Sequence, residues 1–235
     1  MLSSQPSSSQ PSRAVLFDLD GVLAATETLK AAAHASTIAA LGGDVPAVFY
    51  GRRMGASHAV VRGAFIAEAG IDCDPGEYSR LYQARYLRLL ETDLKPLPGV
   101  EELLARLQAG GFGLAVITSS QAWMVERVSA QLGLARWIGL TITADDVEHH
   151  KPSPDAYLLA RRRLGVEATR AVVIEDSEVG VQAGLAAGLQ VIAVRHSFNA
   201  THRFAGAARE IRSLSDTGAV IRLVQELTES SQQGW

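Results

Sequence analysis

The stretch Ala14-Val15-Leu16-Phe17-Asp18-Leu19-Asp20-Gly21 carries a short apolar run straight into two carboxylates one residue apart, with a glycine behind them. A continuous apolar segment of this length reads as a parallel strand buried on both faces. Acid at its carboxyl end falls where an open α/β sheet places its ligand crevice. Two like charges this close repel unless a cation or a shared proton offsets them, and a hard divalent ion such as Mg²⁺ is the natural partner.

Outward from this strand, further strand-length runs occur at Leu114 to Ile117, Thr141 to Thr143, Ala171 to Ile174 and Val191 to Val194. Helical patterns alternate with them at about Gly99 to Ala109, Ser120 to Leu132, Ser153 to Leu164 and Val179 to Ala187, with Pro98 and Pro154 near two starts and Gly110, Gly133, Gly165 and Gly188 after the ends. Alternation of this kind predicts an α/β protein with a doubly wound, Rossmann-like parallel sheet. One stretch breaks it. Residues 25–95 offer helices alone, at Leu29 to Leu41, His58 to Ala69 and Pro75 to Leu90, the last with Tyr78, Leu81, Tyr82, Arg85 and Leu89 at helical spacing. The division is therefore a tail over residues 1–12, a core from 13–24 and 96–235, and a helical cap over 25–95. A cap inserted right after the first acidic loop sits over the strand ends and acts as a lid, hinged at Lys95-Pro96-Leu97-Pro98-Gly99.

Composition narrows the function classes. The 235 residues are 47% hydrophobic and 20% charged with a net charge of −3, which gives no general attraction to nucleic acid or an anionic membrane. No apolar run reaches the roughly 18 residues of a spanning helix. Residues 1–12, rich in Ser, Gln and Pro, have neither the basic start nor the apolar block of a secretory signal and read as disordered. The lone Cys73 has no internal disulfide partner, which fits a reducing cytoplasm.

The later strand ends supply more chemistry. Leu114 to Ile117 leads into Thr118-Ser119-Ser120, which has two readings, a phosphate or carboxylate site at a helix start and a plain N-cap. Ala171 to Ile174 leads into Glu175-Asp176-Ser177, a second acid pair in the same topological position as the first. Between them Lys151, in Lys151-Pro152-Ser153-Pro154, could neutralise both a carboxylate and a phosphoryl oxygen. No Gly-x-x-x-x-Gly-Lys-Ser/Thr run exists, which excludes a P-loop kinase. His149-His150 reads as loop surface, with no further Cys or His at zinc spacing.

The ordered set Asp18-Leu19-Asp20-Gly21, Thr118-Ser119-Ser120, Lys151-Pro152 and Glu175-Asp176-Ser177 resembles the four motifs of the haloacid dehalogenase-like superfamily of phosphatases and phosphomutases. The position of the insert is similar to that of the capped branch with β-phosphoglucomutase and phosphoglycolate phosphatase. The resemblance implies Asp18 as nucleophile, taking the phosphoryl group as an aspartyl phosphate, and Asp20 as general acid and then base, protonated at neutral pH. It implies Mg²⁺ held by Asp18, the Asp20 carbonyl, Asp176 and Glu175, and phosphoryl oxygens held by Thr118, Ser119 and Lys151. A dehalogenase, which attacks carbon without Mg²⁺, is disfavoured by the Glu175-Asp176 pair.

Specificity is expected in Ser119, Ser120 and Gln121 and in the cap, where Arg52, Arg53, His58 and Arg62 flank the turn at Gly55, with Arg53 and His58 as substrate contacts. β-Phosphoglucomutase-like chains carry an acid and then a His after the first loop, where this chain has Ala25-Thr26-Glu27 and Lys30, and His150 replaces the usual Gly before the motif lysine. The expected function is thus a Mg²⁺-dependent phosphatase of a small phosphorylated metabolite, a sugar phosphate or similar phosphomonoester, acting as a cytoplasmic monomer without nucleic-acid or membrane partners. The alternatives are a β-phosphoglucomutase-like sugar phosphomutase and a non-catalytic binding protein on the same scaffold.

Overall fold

The computed structural model describes residues 11–229, so the expected tail lies almost wholly outside the described residues. Six strands, β1 (Arg13–Phe17), β2 (Phe112–Ile117), β3 (Leu140–Ile142), β4 (Ala171–Glu175), β5 (Gln190–Val194) and β6 (Arg209–Ile211), form one parallel sheet in the order β3-β2-β1-β4-β5-β6. The first strand therefore lies in the interior, with Val15 opposite Leu114 on one side and Val172 on the other. The strand order reverses direction here, which is the point where such sheets open a crevice beyond the carboxyl ends.

Alternation along each strand sorts the apolar residues onto two faces. Val15, Phe17, Val172 and Ile174 pack with α4 (Val100–Ala109), α5 (Ala122–Leu132) and α8 (Thr217–Glu229), while Ala14, Leu16, Ala171 and Val173 pack with α6 (Asp155–Leu164) and α7 (Glu178–Ala186). Both faces are covered, which accounts for the unbroken apolar runs in the sequence.

The insert holds α1 (Glu27–Ala40), a 3₁₀ segment (Ala47–Arg53), α2 (His58–Ala69) and α3 (Pro75–Asp93). Asp74 caps α3 by accepting from the main-chain N–H of Glu77 at 2.8 Å, and Pro75 occupies the first helical position, where no N–H is needed. The buried stripe of α3 is Tyr78, Tyr82, Tyr86 and Leu90, a strict four-residue spacing, which keeps Tyr78 and Tyr82 of the expected set, while Leu81, Arg85 and Leu89 are only half-buried. Against it pack Phe65 of α2 and His34 of α1, whose rings lie 4.9 Å apart. The chain crosses between insert and core at two adjacent places, where Ala25 N–H donates to the Lys95 carbonyl at 3.0 Å and Leu97 N–H to that of Leu23 at 3.2 Å.

Two elements were not anticipated. β6, Arg-Glu-Ile at the sheet edge, is short and charged and so carries no apolar signal. α8 buries Val220, Val224 and Thr228 at four-residue spacing, a pattern present in the sequence but not read from it. Among the described residues no helix is long and apolar enough to cross a membrane.

Phe65 is fully buried and Val60, on the same helix, is 54% exposed. Phe65→Ala is expected to cost about 3–5 kcal/mol in urea unfolding, and Val60→Ala to stay within about 0.5 kcal/mol.

Candidate active site

Directly after β1, Asp18 continues the sheet by donating its N–H to the Ile174 carbonyl at 2.9 Å, and its side chain turns into the crevice. Its Oδ2 accepts the Asp20 N–H at 2.9 Å and its Oδ1 accepts from Lys151 Nζ at 2.6 Å. Lys151 also donates to Glu175 Oε1 at 2.5 Å and to the Ile117 carbonyl at 3.0 Å, so all three ammonium protons are used. It is buried over the Tyr157 ring, 5.1 Å from the centroid. One lysine thus ties together the ends of β1, β2 and β4. Burial works against its charge, but Asp18 and Glu175 outweigh that and hold its pKa well above the usual lysine value. Asp18 goes the other way. Burial, reinforced by Glu175 and Asp20 and opposed by Lys151, pushes it up to about 7, because one lysine is shared between two carboxylates.

Glu175 is not free to face a cation in this arrangement. Besides Lys151, its Oε1 accepts from the Tyr157 hydroxyl at 3.3 Å, and its Oε2 accepts from the main-chain N–H groups of Asp176 and Ser177, each at 2.8 Å, and from the Ser177 hydroxyl at 2.9 Å. The sequence expectation grouped Glu175 with the metal ligands, whereas its geometry is that of a residue orienting Lys151 and the turn into α7. Asp176 is the acid that reaches the crevice. A Cβ at Gly21, whose φ is +76°, would collide with the Asp176 carboxylate, so only glycine lets the two loops close together. His196 Nδ1 accepts from the Phe198 N–H at 3.2 Å, which places the ring proton on Nε2, 2.8 Å from Asp176 Oδ2. Asn199 holds the Asp176 carbonyl from below with a 2.7 Å donation. Among the described residues no group of three or more His, Cys, Asp or Glu side chains stands ready as a metal cage.

Asp20 differs most from expectation. Its carboxyl group accepts from Thr26 at 2.5 Å, Ser120 at 2.6 Å and Thr118 at 3.3 Å, and lies 2.5 Å from Lys30 Nζ. Burial raises its pKa, but Lys30 and these hydroxyls overcome that and the net shift is downward. Asp20 is therefore the ionised member of the pair in this arrangement, and the proton expected on it sits more readily on Asp18. Lys30 also donates to Ser120 Oγ at 2.8 Å.

Thr118, Ser119 and Ser120 do not cap α5. Gln121 is the N-cap without a side-chain bond, and the N–H of Ala122 is taken by Asp145 Oδ2 at 2.9 Å. The N-cap reading of the hydroxyl run therefore does not hold. Thr118 and Ser120 bond Asp20, and Ser119 Oγ is buried with no hydrogen-bond partner among the described residues. The turn at Gly55 presses on Ser177, one residue past Asp176, where a Cβ would collide with the Ser177 side chain.

His58 lines a pocket with Lys30, His34, Tyr82, Ser119 and Ser120. Other candidates lie elsewhere. Gln121 Oε1 accepts from the Trp123 indole at 3.3 Å, Arg52 and Arg53 are exposed, with Arg53 donating to the Arg52 carbonyl at 3.1 Å, and Arg62 donates to Ser79 at 2.9 Å. Arg53 and Gln121 are therefore not placed against the pocket.

Sequence reasoning missed Glu27, Lys30, Tyr50 and His196 as site residues. Glu27 is buried, accepts from the Tyr50 hydroxyl, and keeps Oε2 without a partner among the described residues. Burial, opposed by Lys30 and reinforced by Asp20, pushes it up to about 8. The signal was available, because Glu27, Lys30 and His34 recur at helical spacing on one face of an otherwise Ala-rich helix.

The family described as haloacid dehalogenase-like hydrolase matches residues 15–194. The chain belongs to that family. Its relatives include the fructose-1-phosphate phosphatase YqaB of Escherichia coli, 32% identical over 77% of this chain and 95% of that protein. Among solved structures, CbbY from Rhodobacter sphaeroides in complex with phosphate is 32% identical and covers 88% of this chain and 96% of its own, with a TM-score of 0.78. A putative β-phosphoglucomutase from Thermotoga maritima is 28% identical over 90% of this chain and 99% of its own, with a TM-score of 0.74. As a member of the haloacid dehalogenase-like hydrolases the chain is an enzyme, built on the family's α/β core.

Two outcomes test this electrostatic picture. Lys151→Met leaves Asp18 and Glu175 buried without their cation and is expected to cost about 3–5 kcal/mol in urea unfolding, with part regained in Lys151→Met/Glu175→Gln. Burial, helped by Arg62 and Lys30, lowers the pKa of His58 to about 4 against its ordinary 6.5, so the unfolded chain binds more protons between those values. Stability is then lost as pH falls from about 6.5 towards 4, and thermal melts across that window should fall less steeply for His58→Gln.

Proposed function

We propose that this enzyme is a Mg²⁺-dependent phosphatase that hydrolyses small phosphorylated metabolites, sugar phosphates or similar phosphomonoesters, through an aspartyl phosphate on Asp18. The observation that carries this reading is the convergence of Asp18, Asp20, Thr118, Lys151 and Asp176 at the carboxyl ends of the three central strands. A relative that is a fructose-1-phosphate phosphatase supports the substrate class.

The donor set suits Mg²⁺. Asp18 and Asp176 offer hard oxygens beside the Gly21 cradle, and burial with Glu27, Glu175, Asp18 and Asp20 nearby raises the Asp176 pKa well above the usual carboxylate value, a surplus of negative charge that a divalent ion would relieve. Asp18, Asp176 and the Asp20 carbonyl would hold it, with water completing the shell, as Mg²⁺ prefers one or two carboxylates. When bound, the ion neutralises charge on the transferring phosphoryl group.

In the first step Asp18 Oδ attacks phosphorus, the bond from phosphorus to the alcohol oxygen breaks, and the Asp20 carboxyl proton passes to the leaving oxygen. In the second, Asp20 takes a proton from water as that water attacks the aspartyl phosphate, releasing inorganic phosphate and restoring Asp18. Lys151, Thr118 and the Ser119 main chain would hold the phosphoryl oxygens. Because Lys30 keeps Asp20 ionised, the acid role requires Lys30 to turn from Asp20 towards the incoming phosphate or leaving oxygen. The helical insert, joined to the core by two adjacent crossings, serves as the lid that excludes water. Lys30, in place of the His of mutase-like chains, and the absence of arginine from the pocket lining favour transfer to water over transfer to a second sugar hydroxyl.

Phosphate release and sugar isomerisation, measured over a panel of phosphomonoesters with Mg²⁺, test this. Release is expected from the native chain and none from Asp18→Asn. Asp20→Ala should slow an alkyl phosphate by roughly 10²–10⁴-fold and a nitrophenyl phosphate, whose leaving group needs no proton, much less. Isomerisation without release would replace the phosphatase reading with the mutase one.

A further inference from the structure

Lys30 and Ser120, which hold the Asp20 carboxyl group that would protonate the leaving oxygen, also line the pocket shared by the insert and the end of β2, with His34, His58, Tyr82 and Ser119, so the alcohol part of a substrate is placed there. This pocket has a volume of about 20 Å³, room for about one water, so a substrate needs the insert and the core to part there. The walls are largely aromatic. His34 lies 4.2 Å from the Tyr82 ring centroid and 5.6 Å from that of His58.

The charge balance of the pocket is nil. Among its described lining residues Lys30 is the one side chain with a permanent charge, and that charge is matched by Asp20 at 2.5 Å. His34 and His58 are held neutral by burial. The insert's arginines stand outside, Arg52 and Arg53 exposed and Arg62 engaged with Ser79. What the pocket does offer is hydroxyl chemistry: the unpartnered Ser119 Oγ, Ser120 Oγ and the Lys30 ammonium.

We propose that this pocket selects monophosphates of small, uncharged polyhydroxy alcohols and rejects substrates bearing a second phosphate. The proposal rests on the phosphatase reading and deepens it. A hydroxyl finds partners in Ser119, Ser120 and Lys30, and carbon faces lie on His34 and Tyr82. A second phosphate would enter an aromatic-walled space whose one cation, Lys30, is committed to Asp20 or, in the reaction, to the transferring phosphate and leaving oxygen, which is costly for any ion. Discrimination here is by rejection, through a charge left unpaired.

The matched pair fructose 1-phosphate and fructose 1,6-bisphosphate tests this with the full chain and Mg²⁺. The expected kcat/KM for the monophosphate is at least tenfold above that for the bisphosphate, and calorimetric binding to Asp18→Asn is expected to show the same order. Equal or better use of the bisphosphate overturns the proposal, as does equal binding of the two by Asp18→Asn. His58→Arg, which brings a guanidinium into the pocket, should narrow the preference at least fivefold. An unchanged preference in a variant with a native melt also overturns it. If no ester releases phosphate, the phosphatase reading fails by itself, and the binding order in Asp18→Asn decides the specificity separately.

Discussion

The shared ammonium of Lys151 is the contact on which the site depends. It lies between Asp18 and Glu175 and reaches the Ile117 carbonyl, so three strand ends that are remote in sequence meet on one nitrogen. Buried ion pairs seldom add net stability, because both partners lose water. Here the arrangement keeps two acids with different duties apart. Glu175 is consumed by hydrogen bonds and becomes scaffold, which leaves Asp176 and Asp18 as the acids facing the crevice. Lys30, from α1, pairs with Asp20 and overcomes its burial, whereas Lys151, shared with Glu175, does not overcome that of Asp18. The two lysines pair three of five buried carboxyl groups, Asp18, Glu175 and Asp20, and leave Asp176 and Glu27 without a lysine.

Much of this was legible in the chain. The apolar run before Asp18, and its counterparts before Thr118 and Glu175, read as strands because a sheet covered on both faces needs no polar alternation. Residues just past those runs had to be at the crevice, so Asp18, Asp20, Thr118 and Asp176 followed from position. His58 to Ala69 was readable to its limits because glycines and a serine bound it. What escaped notice has physical reasons. Lys30 and Glu27 are long side chains on an Ala-rich helix, and such charges usually lie in water. Only the packing of α1 over the first loop turns them inward. The direction of the Asp20 shift depended on that same lysine, which no inspection of the Asp18-Leu19-Asp20 triplet reveals. Arg53 failed as a candidate because a turn's position does not determine which side of it a long side chain takes.

The insert and core also divide the specificity problem. In the proposed function the groups on phosphorus stand at or near strand ends, where the sheet holds them rigidly, whereas most of those around the alcohol come from helices joined to the core at two crossings. On that reading, change in the helices would alter what is accepted without moving Asp18 or Lys151.

The paired crossings at Ala25 with Lys95 and Leu23 with Leu97 also bear on how the chain assembles. β1 must find β2 across the whole insert, a non-local parallel pairing of the kind that slows folding. The contacts of α1 with α3 and the 3₁₀ segment are local by comparison and can form early. Once they have, the insert brings its own two ends side by side, and the long loop between β1 and β2 shrinks to a short one with little closure entropy left to lose. The insert is then also the element that shortens the search for the central strand pair.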